Sequence, residues 1–446
     1  MAQALITEVE VWLRVVAHKG GLAMRRKCSR PLVLLLVVVV PILLLGAGSG
    51  RADDGQGGAV QLLRVIPATD CPTCAHDTIA VFDISWVDQA TRRYYLADRT
   101  NNAIDVVDTK NNVYLTQLLK GQFKGFTGSN DTSGPNGVVV SGRWLFVTDA
   151  PSKVHSIDLT NPVMFADTLD IPGADNGNRT DELAYDSRDG ILLVVNNADD
   201  PPFATLVHVN TTNGHLTLGQ KITFANWTGQ DGHHTKATNG AEQPVWNPHT
   251  GRFYISIPEV DGPGGGRGEL GALGVINPFT GTLETSFPVR RCQPAGLTVG
   301  PHNDLLIGCS ETFTANNGPR WNPASPTPNP TPKQVIMRAR TGDTTDVPGV
   351  GGSDEVWFNN GLYYTASRNN PEGPVLGVID AESKKLIQVV PTVAPGAAGG
   401  TAHSVAVDSH NNHAFVPLPA NNRINGCANG CIAVYGVPNG EASEDD

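Results

Sequence analysis

The chain has 446 residues, of which only 17% are charged, and its formal net charge is −11. A negative charge of this size disfavours nucleic-acid binding through bulk electrostatics, because phosphate contacts need a basic face. The 49 glycines and 32 prolines are typical of a protein with many short strands and turns.

The N-terminal segment has the composition of an export signal. Four basic residues precede an uncharged run at 31–48, and the small residues Gly50 and Ala52 follow it. This order matches the positive, apolar and cleavage regions of a signal peptide. We therefore expect residues 1–52 to be a leader, with Met24 as an alternative start, and the protein to be periplasmic or secreted. An uncleaved membrane anchor is the alternative, although an apolar run of about 18 residues is short for a bilayer span.

From residue 83 onward the sequence repeats one unit seven times. Each unit opens on a short apolar strand, turns into a second strand, and later carries an apolar residue before a polar turn. The residues that follow this apolar position are Asp108, Asp158, Asn210, Asn277, Arg338, Asp380 and Tyr435. Steps of 42 to 67 residues with four strands in each unit predict an all-β fold, a seven-bladed β-propeller within residues 53–440. Residues 441–446 are predicted to be an acidic, disordered tail.

The seventh unit ends near Tyr435, before a fourth strand. An open ring would expose a sheet edge, which proteins avoid. The apolar stretch at 60–66 has the composition of a strand. We therefore predict that it completes the seventh blade from the N-terminal side and closes the ring.

Cysteine usage agrees with export. Cys28 belongs to the leader, and an even number of cysteines outside the cytosol indicates disulfides. The six that remain form three local pairs: Cys71 with Cys74, Cys292 with Cys309, and Cys427 with Cys431. The segment from Cys71 resembles a haem c attachment motif but has one residue too many before its histidine, so a disulfide is expected there and no haem.

Propeller geometry gathers the first residues of all innermost strands around one channel mouth. These residues are Asp83, Asn136, Asp181 with Glu182, Glu242, Gln293, Asp354 with Glu355, and His403. The ends of the second strands add further candidates for ligand contacts: Asp98, Arg99, Asp149, Asn197, Glu259 and Arg368. Asp83 and Asn136 are assigned to ligand binding as well. Because the long connections lie on this face, we expect a small molecule or a protein partner to bind there.

Converging carboxylates raise each other's pKa unless a cation lies among them. The candidate ligands for a divalent cation are Asp181, Glu242, Asp354, His403 and Glu355. Oxygen donors suit Ca²⁺, Mg²⁺ or Mn²⁺, and a histidine adds Zn²⁺. Polar residues around a water-filled channel are the alternative interpretation. The sequence has neither a phosphate-binding loop nor the tryptophan-docking repeat of quinone-cofactor propellers, so neither cofactor is expected.

The repeat resembles the YncE-like family of periplasmic propellers, which is related to the YVTN-repeat proteins. The resemblance is carried by the polar turns and by strands such as 93–98 followed by 102–108, and it covers residues 60–440. It implies a fold and not an activity. The channel mouth is also similar to that of gluconolactonase and regucalcin propellers, where a Glu, an Asn and an Asp hold a metal that polarises a lactone. Glu242, Asn136 and Asp181 or Asp354 would correspond, although that family has six blades.

Three functions follow as hypotheses. The leading one is an exported, monomeric propeller that binds a small ligand or partner on its loop-rich face, with a divalent cation. The second is a metal-dependent hydrolase or lyase acting on a lactone-like substrate, with Glu182 or His403 as the catalytic base. The third is a metal-free scaffold for a protein partner.

Overall fold

The computed structural model describes residues 58–74, 77–175, 177–262, 267–314, 330–371, 373–393, 403–421 and 423–438. The predicted leader and acidic tail lie outside these ranges. Within them, no helix combines the length and the hydropathy that a membrane crossing requires.

Seven four-stranded antiparallel sheets follow one another along the described chain, as predicted for a propeller. Blade 1 comprises Phe82–Asp88, Arg93–Asp98, Ala103–Asp108 and Val113–Leu118. Blade 2 comprises Val138–Ser141, Trp144–Asp149, Lys153–Asp158 and Asp167–Asp170. Blade 3 comprises Leu183–Asp186, Ile191–Asn196, Phe203–Val209 and Leu216–Thr223. Blade 4 comprises Pro244–Asn247, Arg252–Ile257, Leu270–Asn277 and Thr282–Arg290.

The second half of the ring repeats the same order. Blade 5 comprises Cys292–Val299, Asp304–Thr312, Lys333–Arg338 and Thr344–Pro348. Blade 6 comprises Val356–Asn359, Leu362–Ser367, Val375–Asp380 and Lys385–Pro391. Blade 7 comprises Ala406–Asp408, His413–Leu418, Cys431–Gly436 and the N-terminal strand Gln61–Pro67. Outside the blades lie a ribbon of Trp227–Thr228 with His234–Thr235 and three short 3₁₀ helices, Ala68–Asp70, Asn130–Thr132 and Pro301–Asn303.

The ring is closed by the two ends of the chain. Strand Gln61–Pro67 pairs antiparallel with Cys431–Gly436, with Ile66 opposite Ile432. Ile66 then packs in one buried cluster with Tyr94 of blade 1 and Phe415 of blade 7. The predicted closure by the N-terminal segment is therefore confirmed.

The repeated polar turns have a common physical cause. The Asp108 carboxylate accepts hydrogen bonds from the backbone N–H groups of Lys110 and Asn111. Asn277 does the same for Phe279 and Thr280 in blade 4. Asp and Asn favour turns because their short side chains satisfy the backbone in this way. In blades 1 to 6, the sequence period therefore marks where the third strand reverses into the fourth.

All three predicted cysteine pairs are joined as disulfides: Cys71–Cys74, Cys292–Cys309 and Cys427–Cys431. The second of them links the two strands of a hairpin in blade 5, with a Cα–Cα distance of 5.1 Å. Disulfides of this number are typical of proteins in oxidising compartments.

First strands of neighbouring blades contact each other all the way around the ring. They therefore form the wall of the central channel. Every first strand runs in the same direction, so its first residues lie at one end of the channel and its last residues at the other.

Candidate functional site

One end of the channel forms a polar cavity of about 140 Å³, which we call the vestibule. Six of the seven blades contribute a residue from the start of their innermost strand. These residues are Asp83, Asp181 with Glu182, Glu242, Gln293, Asp354 and His403. Arg368 and Asn197, which follow second strands, also line it. Ring geometry thus brings together residues that are more than 300 positions apart in the sequence.

Asp83 is the centre of a buried network of ion pairs. One of its oxygens accepts hydrogen bonds from Arg99 and, at 3.2 Å, from Arg179. Its other oxygen lies 2.8 Å from His403 Nε2. Burial alone would raise the pKa of Asp83, but Arg99, the His403 hydrogen bond and Arg179 together hold it well below the usual range. Asp83 is therefore ionised at any physiological pH.

His403 bridges two carboxylates. Its Nε2 lies 2.8 Å from Asp83 Oδ1, and its Nδ1 lies 2.8 Å from Asp354 Oδ2. Burial would lower the pKa of His403, but Asp354 and Asp83 raise it to about 9. With both nitrogens donating, the ring is a cation, and a doubly protonated imidazole neither accepts a proton nor binds a metal. The roles of His403 as a base and as a metal ligand stay predictions, and each requires a different protonation state.

Asp354 also pairs with Arg368, whose Nη1 lies 3.0 Å from Asp354 Oδ2. Burial would raise the pKa of Asp354, but Arg368 and His403 lower it to about 2. The Arg368 side chain is 36% exposed, whereas that of Arg99 is 3% exposed. Arg368 is therefore the arginine that a molecule in the vestibule can reach.

Arg179 is a site residue that the sequence reasoning missed. It comes from the connection between blades 2 and 3, and its Nη2 lies 2.8 Å from Asp181 Oδ2. Its side chain is only 4% exposed, and its Nε lies buried without a partner among the described residues. The only sequence feature that could have identified Arg179 as a site residue is its position two residues before Asp181. Because it lies in a loop, strand periodicity could not have placed it.

Burial raises the pKa of three glutamates around the channel. Burial, followed by Asp181 and Asp354, raises the pKa of the half-buried Glu242 to about 8. Burial also raises the pKa of Glu182 well above its usual value and that of Glu355 to about 8. A protonated carboxyl donates one hydrogen bond and still accepts others. These side chains can therefore bind hydroxyl groups as well as cations.

Several buried polar atoms of the vestibule have no hydrogen-bond partner within the described protein. They are Arg179 Nε, Glu182 Oε2, Asn197 Oδ1 and Gln293 Nε2. Native proteins leave few buried polar groups unpaired, because each costs about 1–3 kcal/mol. These four atoms therefore have hydrogen-bonding capacity that a polar molecule in the vestibule can satisfy.

A second, lateral cavity of about 750 Å³ opens beside the vestibule. The two cavities share Asn130, Asn197, Asn239 and Glu242 in their walls. Asn130 and Asn239 come from long connections, and the sequence reasoning did not include them among the site residues. Because the two cavities adjoin at these residues, a molecule in the vestibule can extend into the lateral cavity.

A divalent cation does not fit the donors as they are arranged. Among the described residues, no three His, Cys, Asp or Glu side chains lie close enough to hold a metal. The physical reason is that Arg99, Arg179 and Arg368 lie between the carboxylates. The Oδ1 of Asn136, the Asn suggested by the gluconolactonase resemblance, accepts from Arg99 Nε at 3.0 Å. The divalent cation stays a prediction that would require these arginines to move.

The remaining predicted residues lie outside the vestibule wall. Asp98 accepts the backbone N–H of Thr100 at 2.8 Å, and Asp149 accepts that of Lys124 at 3.1 Å. Glu259 accepts a hydrogen bond from the Thr238 hydroxyl at 3.0 Å. These contacts fix the loops around the site. Arg99 and Asn136 lie directly behind Asp83, while Glu355 faces the opposite half of the channel.

Comparison with known proteins supports the fold alone. No family model matches the chain, and no curated protein matches it in sequence. A solved structure of Kuenenia stuttgartiensis hydrazine synthase is similar, with a TM-score of 0.57 and 11% identity over 78% of this chain and 94% of that one. A chain of a mitotic checkpoint complex gives a TM-score of 0.54 and 11% identity over 91% of this chain and 100% of that one.

The β-propeller domain of Myceliophthora thermophila Cps50 (Swd1) is similar to the same degree. Its TM-score is 0.54, with 9% identity over 85% of this chain and 100% of that one. At such identities the likeness shows a shared fold and no shared activity. The protein is therefore a seven-bladed β-propeller. Its relation to the YncE-like family stays a prediction.

Proposed function

We propose that this chain is an exported β-propeller that binds a small, hydroxylated carboxylate in the vestibule. The observation that carries the proposal is the set of unpaired buried polar atoms converging on one enclosed cavity. The leading signal-like segment and the three disulfides support the exported location.

The charge distribution favours an anionic ligand. Arg99, Arg179, Arg368 and His403 carry positive charge, whereas burial raises the pKa of Glu182 and Glu242 and so disfavours a negative charge on both. Ionised Asp83 and Asp354, together with Asp181, whose pKa burial raises to about 7, offset only part of this charge. Arg368 reaches solvent, and a guanidinium binds a carboxylate through two parallel hydrogen bonds. The protonated glutamates, Asn197 and Gln293 would then bind hydroxyl groups.

The lactonase-like alternative stays a prediction. It requires a divalent cation, and the carboxylates that would hold one are paired with arginines in the present arrangement. The partner-binding alternative is consistent with one similar chain coming from a protein complex. Neither is favoured by an observation specific to this chain.

Calorimetric titration with tartrate and with erythritol tests the proposal. The two molecules share four carbons and two central hydroxyls, but only tartrate carries carboxylates. We expect tartrate to bind and erythritol to bind at least about tenfold more weakly, since a hydrogen bond to a charged group contributes about 1.5–3 kcal/mol. Arg368→Gln should weaken tartrate binding by a similar factor.

The matched control is Arg188→Gln, which removes an arginine whose side chain is 63% exposed in a turn of blade 3. It should leave the titration unchanged. Equal affinity for tartrate and erythritol, or full binding by the Arg368→Gln protein, would contradict the proposal. Elemental analysis and a panel of lactones, with Glu242→Gln as the test variant, decide whether a cation and turnover belong to this site.

A further inference from the structure

The opposite end of the channel holds a third cavity, of about 570 Å³. It is lined by the last residues of the innermost strands, so it lies across the molecule from the mouth of the vestibule. Aromatic side chains from blades 1, 3, 4 and 6 form its wall. They are Trp86, Tyr185, Trp246, Trp357 and Phe358, and we call this set the aromatic cup.

The rings of the aromatic cup are available to a ligand. All five side chains are partly exposed, although each lies on a strand. Trp86 and Trp357 form an edge-to-face pair with ring centroids 5.0 Å apart, which fixes their orientation. Partly exposed tryptophans in an enclosed cavity present large apolar surfaces, and burying these surfaces would stabilise a bound ligand.

Two acidic residues line the same cavity where it approaches the vestibule. Glu355 is 3% exposed and accepts hydrogen bonds from the Ser404 hydroxyl and, at 3.2 Å, from the Val405 N–H. Glu182 is 6% exposed, and its Oε2 has no partner among the described residues. Among the described residues that line the cavity there is no Lys, Arg or His. Nothing cationic in the wall of the aromatic cup therefore offsets these two acids.

Aromatic faces combined with buried acids select one class of molecule. A ring face attracts cations, with about 0.5–1 kcal/mol at exposed sites and about 2 kcal/mol or more when the cation is desolvated. A neutral apolar ligand would cover the rings but leave the Glu182 oxygen unpaired. An anion would be repelled by the ring faces. We propose that the aromatic cup is a second binding site and that it takes an organic ammonium, with its methyl or methylene groups against the rings and its charge directed toward Glu182 and Glu355.

Choline and 3,3-dimethylbutan-1-ol provide the test, because they share one shape and differ in charge. We expect choline to quench tryptophan fluorescence and to bind at least about tenfold more tightly than the alcohol, which corresponds to the cation–ring attraction alone. Trp357→Leu and Trp246→Leu should each weaken choline binding about tenfold.

Glu182→Gln should weaken choline binding, whereas Glu382→Gln is the matched control. Glu382 has a side chain that is 79% exposed on an outer turn, and its loss should leave choline binding unchanged. Equal affinity for choline and the alcohol would overturn the proposal, as would unchanged choline binding in Glu182→Gln. Having two tryptophan variants keeps the test valid if one of them fails to fold.

Discussion

The two ends of one channel differ in chemistry although the innermost strands of the same ring of blades form both. At the vestibule the strands begin with acids, and arginines from strand ends and loops pair with them. At the aromatic cup the strands end with tryptophan, tyrosine and phenylalanine, and the two acids that reach it have no cation in its wall among the described residues. Two proposed sites, one for an anionic and one for a cationic ligand, are thus separated by only a few residues along each innermost strand.

The largest expected effect comes from breaking the ion-pair network of the vestibule. Asp83→Asn removes the negative charge that Arg99, Arg179 and His403 share, and it leaves buried cations without a counter-charge. Loss of one partner in a buried pair costs about 3–5 kcal/mol. Urea denaturation should show this loss in the free energy of unfolding.

The control for Asp83→Asn is Asp189→Asn, which breaks an exposed pair with Arg188. Exposed pairs contribute about 0–1 kcal/mol, so this variant should remain close to the parent protein. Equal free energies of unfolding for Asp83→Asn and Asp189→Asn would mean that the buried network of the vestibule contributes no more to stability than one exposed ion pair. That result would contradict the energetic contrast between the two ends of the channel.

A smaller effect on the free energy of unfolding is expected from a change of pH. Titratable groups at both ends of the channel contribute to it. Glu242 and Glu355 have folded-state pKa values of about 8, above their ordinary value of 4.5, and His403 has one of about 9, above 6.5. Raised values mean that the folded protein binds protons more tightly than the unfolded chain. Their stabilisation is complete below the ordinary pKa values and is lost as the pH rises through 8 and 9.

We therefore expect the free energy of unfolding to fall by at least about 1 kcal/mol between pH 5.5 and 9, measured by urea denaturation at fixed ionic strength. Asp354 acts in the opposite sense, but only as the pH falls from 3.8 toward 2. Glu242→Gln and Glu182→Gln should each flatten the slope, whereas Glu382→Gln should leave it unchanged. Stability that rises across this interval would show that the acids are ionised in the folded protein.

The fold could be predicted from the sequence because its signals are local and repeated. Asp or Asn at each reversal satisfies backbone N–H groups, so residues such as Asp108 and Asn277 mark the period of the blades. The ring closure followed from one physical requirement, that no sheet edge is left exposed. The convergence of Asp83, Asp354 and His403 then depended only on ring geometry.

The chemistry of the site was harder to predict because it depends on side chains placed by loops. The strand pattern predicted which acids lie at the channel mouth but not that Arg179 lies among them. Arg179 pairs with Asp83 and Asp181, so these carboxylates form ion pairs and not a metal site. The aromatic cup did leave a signal. Trp86, Tyr185 and Trp246 each lie three or four residues after the polar start of a first strand. Only the structure shows that these positions face the channel.

A crystal structure of the protein grown at neutral pH with both tartrate and choline would test the central claim most directly. We predict tartrate in the vestibule with its carboxylate on Arg368, and choline among the rings of the aromatic cup with its ammonium toward Glu182. Both molecules at one end of the channel, or a metal ion held by Glu242 and Asp181 in place of tartrate, would contradict the assignment of opposite preferences to the two ends.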